Sequence, residues 1–418
     1  HSTSRRQRQM CIRDRDTVQP EVIVTITGGN GMIYLDSAAT SLHRPREVIR
    51  AVCEAMEQLG NPGRGAYEAS LQAARTVFRA RTELSRLFGM KDPSRVVFTA
   101  NVTEALNLAI SSLFGAGSHV ITTCLEHNSV LRPLYRQEAR GASLTILPCD
   151  EKGRLRYDLL EQAVGPQTKG IVCTHASNLT GNLVDIRRIG QFCREHGLLF
   201  VVDAAQTAGI FPIDMEKDKI DVLCFTGHKG LLGPQGTGGL CVREGIDLES
   251  LCVGGSGVQS YRKDQPPQMP EHLEAGTVNV HGIAGLLAAV KWLEHTGVPE
   301  IHRREAELMQ RFYQRIRQIE GVTVYGDLED TPPENRAPVT ALNIGTLSSD
   351  EVCDELAQEY GIAVRGGAHC APLMHQALGT EEQGAVRFSF SYFNTEEEID
   401  CAVRAVREIA AAETETPV

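Results

Sequence analysis

The sequence predicts an α/β fold, a mainly parallel β-sheet flanked by helices, with a smaller α+β domain toward the C-terminus. Three observations predict it. Between about residues 32 and 295, short β-branched runs alternate with longer amphipathic segments, the pattern of repeated βα units. The run Leu198-Leu199-Phe200-Val201-Val202 is apolar at every position, so both of its faces need cover, as in a central parallel strand. After about residue 296 the pattern changes to a long charged helix followed by separated strands and helices, which reads as a smaller domain over 296–418.

In order, strands are expected at 95–99, 119–123, 143–148, 170–174, 198–202 and 222–226, with helices over 68–88, 103–114, 185–196 and 282–295. The second part should hold a helix over 300–319, strands at 322–325, 339–344 and 386–391, and helices over 350–359 and 395–411. The proline-rich stretches 265–270 and 331–333 read as loops. Residues 1–31 begin with a cluster of arginines (Arg5, Arg6, Arg8, Arg13, Arg15) that has neither an apolar signal region nor a helical stripe. They are set aside as a disordered or non-native leader, and the fold is expected to start near Met32.

Composition excludes several functions. No apolar run approaches the ~18 residues that span a bilayer, so no membrane partner is expected. The net charge of −11 argues against a nucleic-acid partner, which concentrated Lys and Arg would serve. The twelve cysteines are scattered through apolar stretches without C-x-x-C pairs or metal-ligand spacing, so neither a metal site nor a disulfide framework is expected. A reducing, cytoplasmic compartment follows.

The chemistry gathers where predicted strands end, the edge at which open α/β sheets bind ligands. Asp203 closes a buried strand, where a carboxylate either caps the next helix or pairs with a fixed cation such as a protonated ring nitrogen. Lys229, in Thr226-Gly-His228-Lys229-Gly, ends the next strand. It is either a surface lysine in a glycine-rich turn or an amine with a burial-lowered pKa, able to attack a carbonyl. The following Gly233-Pro-Gln-Gly-Thr-Gly-Gly239 is not a nucleotide P-loop, because no Gly-Lys-Ser/Thr follows, and its glycines are expected to shape a turn. Asn101-Val-Thr103-Glu104 opens a helix whose free N–H groups suit a phosphate, although Asn and Thr are also ordinary caps. His127 is placed either to stack on a planar ring or as a structural histidine, and Asn178 could bond a ring oxygen.

Together with Asp203-x-x-Gln206, Glu126-His127-Asn, Ala275-Gly276-Thr277 and the opening Tyr34-Leu-Asp36-Ser-Ala-Ala-Thr40, these motifs resemble the class V aminotransferases, specifically the cysteine desulfurases, over about residues 32–410. The resemblance implies a fold-type I homodimer with a seven-stranded sheet, dependent on pyridoxal 5'-phosphate (PLP). It implies Lys229 as the Schiff-base lysine, Asp203 as partner of the ring nitrogen, His127 as the stacking ring, and Gln206 and Asn178 beside the ring oxygen. Thr103, Glu104, Thr226 and His228 fall at cofactor-binding positions, and Thr277 at one reaching the phosphate of the neighbouring subunit. Arg387 matches the arginine that pairs with a substrate carboxylate, a bidentate role suited to a guanidinium, although alternation alone would leave it at a strand edge. Asn178, Ala39 and Arg365 are expected beside the substrate.

Arg365-Gly-Gly-Ala-His369-Cys370-Ala-Pro resembles the short catalytic-cysteine loop of the desulfurase group that includes the selenocysteine lyases. Arg365 and His369 could favour the thiolate of Cys370, although Cys370 could instead be a small buried hydrophobe like most of the others. The resemblance implies L-cysteine, or L-selenocysteine, as substrate, with Lys229 moving the α-proton, Cys370 taking the sulfur as a persulfide, and a sulfur-acceptor protein receiving it. A class V aminotransferase that does not use Cys370 is the alternative.

Overall fold

In the computed structural model, residues 31–63 and 65–415 are described, and those from Ile33 onward form one compact unit. The stretch read as a leader lies outside the described residues apart from Gly31. The strands are β1 (Ile33–Tyr34), β2 (Val96–Thr99), β3 (His119–Thr123), β4 (Ser143–Leu147), β5 (Thr168–Thr174), β6 (Leu199–Asp203), β7 (Val222–Thr226), β8 (Gly238–Val242), β9 (Val322–Tyr325), β10 (Val339–Ile344), β11 (Ile362–Ala363) and β12 (Val386–Ser389).

Seven of them form one sheet in the order β2-β8-β7-β6-β5-β3-β4, parallel throughout except that β8 runs antiparallel to both of its neighbours. Phe200 and Val202 of β6 face one apolar core and Val201 faces the other, all without exposure, which is why the run 198–202 is apolar at every position before Asp203 ends the strand. The expected turn holds over 233–237, and its last two glycines, Gly238 and Gly239, open β8, a strand that was not expected. Its glycines permit close approach, since a Cβ on Gly238 would lie 2.6 Å from the backbone of Asn101.

The helices that position the site are α1 (Arg46–Gln58), α2 (Glu68–Leu87), α3 (Val102–Leu113), α4 (Asn128–Glu138), α5 (Ile186–His196), α6 (Val280–Thr296), α7 (Val298–Ile316), α8 (Ser349–Tyr360) and α9 (Glu396–Glu415). α1 and α4 were not expected, and α4 carries Pro133 inside its span. β9, β10 and β12 form an antiparallel sheet with a separate apolar cluster that includes Phe312, Phe388 and Ile399.

The first described segment links the β9-β10-β12 sheet to the end of the large one. β1 pairs with β11, Ser389 N–H donates to Leu35 O at 2.8 Å, and Ser41 Oγ donates to the Lys229 carbonyl at 2.8 Å. Residues 36–41 are thereby laid across the carboxyl end of the large sheet.

Candidate active site

A cavity of about 210 Å³ opens at the carboxyl ends of the parallel strands. It lies where the strand order reverses, because β3 is followed by β4 on one side and by β5 on the other. Lys229, Asp203, His127, Thr103, Asn178, Gln206, Thr226, His228, Ala39, Arg365, Cys370 and Arg387 all line it. Thus residues more than two hundred positions apart in the chain, read as separate strand-end motifs, meet around one space.

Asp203 ends β6 with 2% exposure, and its Oδ1 accepts from Ala205 N–H at 2.9 Å. Burial raises its pKa, opposed by that N–H and by Lys229. A buried acid of this kind is best satisfied by a cationic N–H donor. Lys229 is half-buried because its cavity opens outward, yet its surroundings push the amine down to about 8. Burial is the first cause, Arg387 adds to it, and Asp203 opposes it.

His127 caps α4, its Nδ1 accepting from Ser129 N–H at 3.0 Å. Burial first, then the charge of Lys229, pushes its pKa down to about 4, so the ring is neutral. Ser129 Oγ also shares a 2.8 Å hydrogen bond with Thr103 Oγ1, so one hydroxyl joins the start of α3 to the imidazole. Sequence reasoning passed over Ser129, although its place two residues after a capping histidine was a signal.

Arg387 is 2% exposed, with Nη1 donating to Asn178 O at 3.0 Å, Nη2 donating to Asp36 Oδ1 at 2.8 Å, and Nε buried without a partner. Arg387 lies on β12, an edge strand of its sheet, but the side chain is turned inward, so the reading of it as facing solvent does not hold. Asp36 is a second residue that the motif reading quoted without giving it a role.

The Cys370 loop is held rather than loose. His369 O accepts from Asn178 Nδ2 at 2.8 Å, and Cys370 O accepts from Asn128 N–H at 2.7 Å. His369 and Cys370 both adopt left-handed backbone, with φ of 49° and 55°, conformations that cost non-glycine residues about 1–2 kcal/mol each and persist where contacts enforce them. Cys370 is exposed, so it is not another small core residue. His369 corrects one expectation. It is buried, donates Nε2–H to Ala385 O at 2.8 Å, and is pushed down to about 3, chiefly by burial. A neutral ring cannot supply the positive charge that a thiolate wants, which leaves Arg365 as the cation of that loop lining the cavity.

One residue expected at the cofactor is not brought to this cavity. The Glu104 carboxylate folds back to accept from Ala100 N–H at 2.8 Å, a local use that also keeps an anion away from a phosphate position. Thr277, expected to reach a neighbouring subunit's site, is exposed and lies outside this cavity.

The residues present suit PLP. Thr226 Oγ1 and Asn178 Oδ1 are buried on the cavity wall without partners, polar atoms that a phosphate and a polar ring would satisfy. The N-terminus of α3 adds free N–H groups, since Asn101 and Thr103 line the same wall.

A family profile described as Aminotransferase class-V matches residues 33–401. A protein of Methanothermobacter thermautotrophicus named "Probable cysteine desulfurase" is 34% identical over 90% of this chain and 94% of its own. The cysteine desulfurase IscS of Pectobacterium carotovorum is 33% identical over 90% of this chain and 92% of its own. Among solved structures, the apo cysteine desulfurase of Thermococcus onnurineus superposes with a TM-score of 0.84 at 31% identity, covering 91% of this chain and 95% of that one. The cysteine desulfurase CsdA of Escherichia coli gives a TM-score of 0.81 at 28% identity, covering 92% and 95%. With its sheet order, its cavity and a family match over most of its length, the chain belongs to the class V aminotransferase family.

Proposed function

We propose that this protein is a PLP-dependent cysteine desulfurase, converting L-cysteine to L-alanine and carrying the sulfur as a persulfide on Cys370. The observation that carries the reading is that a single cavity is lined by Lys229, Asp203, His127, Arg387 and the exposed Cys370. Relatives named cysteine desulfurase, similar over nine-tenths of the chain, support it.

Thr103, Thr226 and His228 would hold the phosphate, His127 the ring face, Asp203 the ring nitrogen, and Asn178 and Gln206 the ring oxygen. When bound, PLP supplies an electron sink for the carbanion at the substrate α-carbon. Arg387 binds the substrate carboxylate through the guanidinium that Asp36 and the Asn178 carbonyl hold in place. Ala39 and Arg365 sit on the same wall beside it. Lys229, with its amine lowered to about 8, is neutral in a useful fraction near neutral pH and takes the α-proton. Cys370 attacks as the thiolate. Its bond to the substrate sulfur forms as the substrate carbon–sulfur bond breaks, and the carbon that loses sulfur gains a proton to become the alanine methyl.

The exposed thiol suits transfer of the sulfur to an acceptor protein. A homodimer is supported by apolar side chains left exposed at seven-residue spacing, Ile49 and Met56 on α1 and Leu71 and Phe78 on α2, with Thr277 exposed to serve a neighbouring site. We place the protein in the cytoplasm, with 296–418 as a smaller domain. Among the described residues no helix is long and apolar enough to cross a membrane.

The test is to supply PLP and L-cysteine with a reductant and assay alanine and sulfide. Sulfide and alanine in equal amounts are expected. Full turnover by Cys370→Ala with an amino donor would point instead to an aminotransferase, and a strong preference for L-selenocysteine would move the substrate assignment.

A further inference from the structure

Behind Lys229 lies a second, much smaller cavity, of about 20 Å³, that the reaction described above does not use. Ala38, Gln206 and Lys229 line both spaces, so these residues form a shared wall. On the far side stands Glu305, from the middle of α7, with 6% exposure. Its Oε1 accepts from Tyr392 N–H at 2.9 Å, while Oε2 is buried with no partner. Ser37 Oγ, on the same cavity, is also buried with no partner.

Two unpaired polar atoms facing one small space need an explanation, because buried polar groups are nearly always satisfied by protein or by water. A water requires roughly 10–15 Å³ of accessible room and two to four polar partners. The cavity meets the first condition, and Glu305 with Ser37 meets the second.

We propose that this cavity is a one-water site, in which a buried water bridges Glu305 Oε2 and Ser37 Oγ, and that through it Glu305 positions the 37–41 segment over Lys229. The carboxyl is suited to donate its proton to the water, since burial pushes it up to about 8 and the Tyr392 N–H only partly opposes this. Lys229 and Glu305 are the titratable residues lining the cavity. The segment so braced adjoins the reaction site, because Ala39 lines the larger cavity and Ser41 Oγ donates to the Lys229 carbonyl at 2.8 Å. Glu305 is thus a positioning residue, acting through the water and Ser37, and touches neither substrate nor cofactor. The water stands on the cavity alone, whereas its effect on turnover rests on Lys229 being the PLP lysine.

The test is a crystal structure of the PLP-loaded full chain at a resolution that shows ordered water, with Glu305→Met, Glu305→Gln and Ser37→Ala alongside. One water peak within hydrogen-bond distance of Glu305 and Ser37 is expected, kept in Glu305→Gln and lost in Glu305→Met. Glu305→Met should lower kcat about tenfold with KM for cysteine little changed, Ser37→Ala should lower it less, and Glu305→Gln should restore most of the loss. An empty cavity in the unmodified protein overturns the water site. A water that disappears in Glu305→Met with kcat unmoved overturns the positioning role. If Lys229→Ala still forms the lysine-linked chromophore, the reading of Lys229 fails while the peak still reports on the water.

Discussion

The Lys229 turn and the Cys370 loop face the same cavity, but they are built by opposite means. Lys229 follows a strand buried at every position, and its surroundings change the chemistry of the amine, pushing it down to about 8. Cys370 stays exposed, and its surroundings act on its backbone. The carbonyls of His369 and Cys370 are gripped by Asn178 and Asn128, and Ser349 Oγ at the start of α8 accepts from Gly367 N–H at 2.9 Å. The difference teaches that a proton-moving amine needs a changed dielectric, whereas a thiol that must hand its sulfur onward needs a fixed position and an open path.

The largest effects should come from breaking each half separately. Lys229→Ala should abolish the lysine-linked chromophore and reduce turnover by roughly 10²–10⁴-fold, the range for loss of a general acid–base group. Cys370→Ala should keep the chromophore unchanged and form no persulfide, as read by mass spectrometry after a single turnover with cysteine. If both substitutions removed the chromophore, the two regions would not be separable in this way.

Smaller effects sharpen the contrast. Gly384 has φ 69°, and a Cβ there would run into Ser349 Oγ and lie 3.1 Å from Gly367 Cα, at the base of the Cys370 loop. Gly384→Ala should cost about 1–2 kcal/mol in stability, read from the urea midpoint, and slow persulfide formation while leaving the chromophore intact. A full-speed variant would show that the loop does not need its packing. Asp36→Asn removes the anion that fixes Arg387, and should raise KM for cysteine about tenfold, equivalent to ~1.4 kcal/mol, with kcat within a few-fold. A fall in kcat at constant KM would place Asp36 in the chemistry instead.

Much of this contrast was legible in the sequence, and the gaps have physical causes. β-branched runs located β3, β7, β9 and β10 at their observed ends, β3, β7 and β10 because strands buried on both faces are rich in β-branched residues, and β9, an edge strand with Thr323 exposed, through its Val-Thr-Val-Tyr composition. β8 was hidden because Gly238 and Gly239 resemble a turn. They are glycine so that the strand can pass close to Asn101 and Val97, a tertiary demand with no local sign. Lys229, Asp203 and Arg387 could be found because motif order survives in sequence. The neutrality of His369 could not, since it follows from burial against Ala385, sixteen residues away. The roles of Asp36 and Ser129 likewise depend on partners, Arg387 and Thr103, that only folding brings near.

The finest test concerns the electrostatics of the Lys229 turn. An amine attacks the PLP aldehyde only when deprotonated, so the rate of chromophore formation in cofactor-free protein should climb with pH through about 8, not through the ordinary lysine value of 10.5. Burial is the leading cause of the lowered value, so no single charge should restore it. Among charges, Arg387 lowers the amine and Asp203 raises it. Arg387→Ala should therefore move the midpoint to higher pH and Asp203→Asn to lower pH, each by less than the offset between 8 and 10.5. Stopped-flow absorbance across pH 6–11 reads all three profiles. Shifts of the same sign in both variants would mean that packing, and not the two opposed charges, sets what remains after burial.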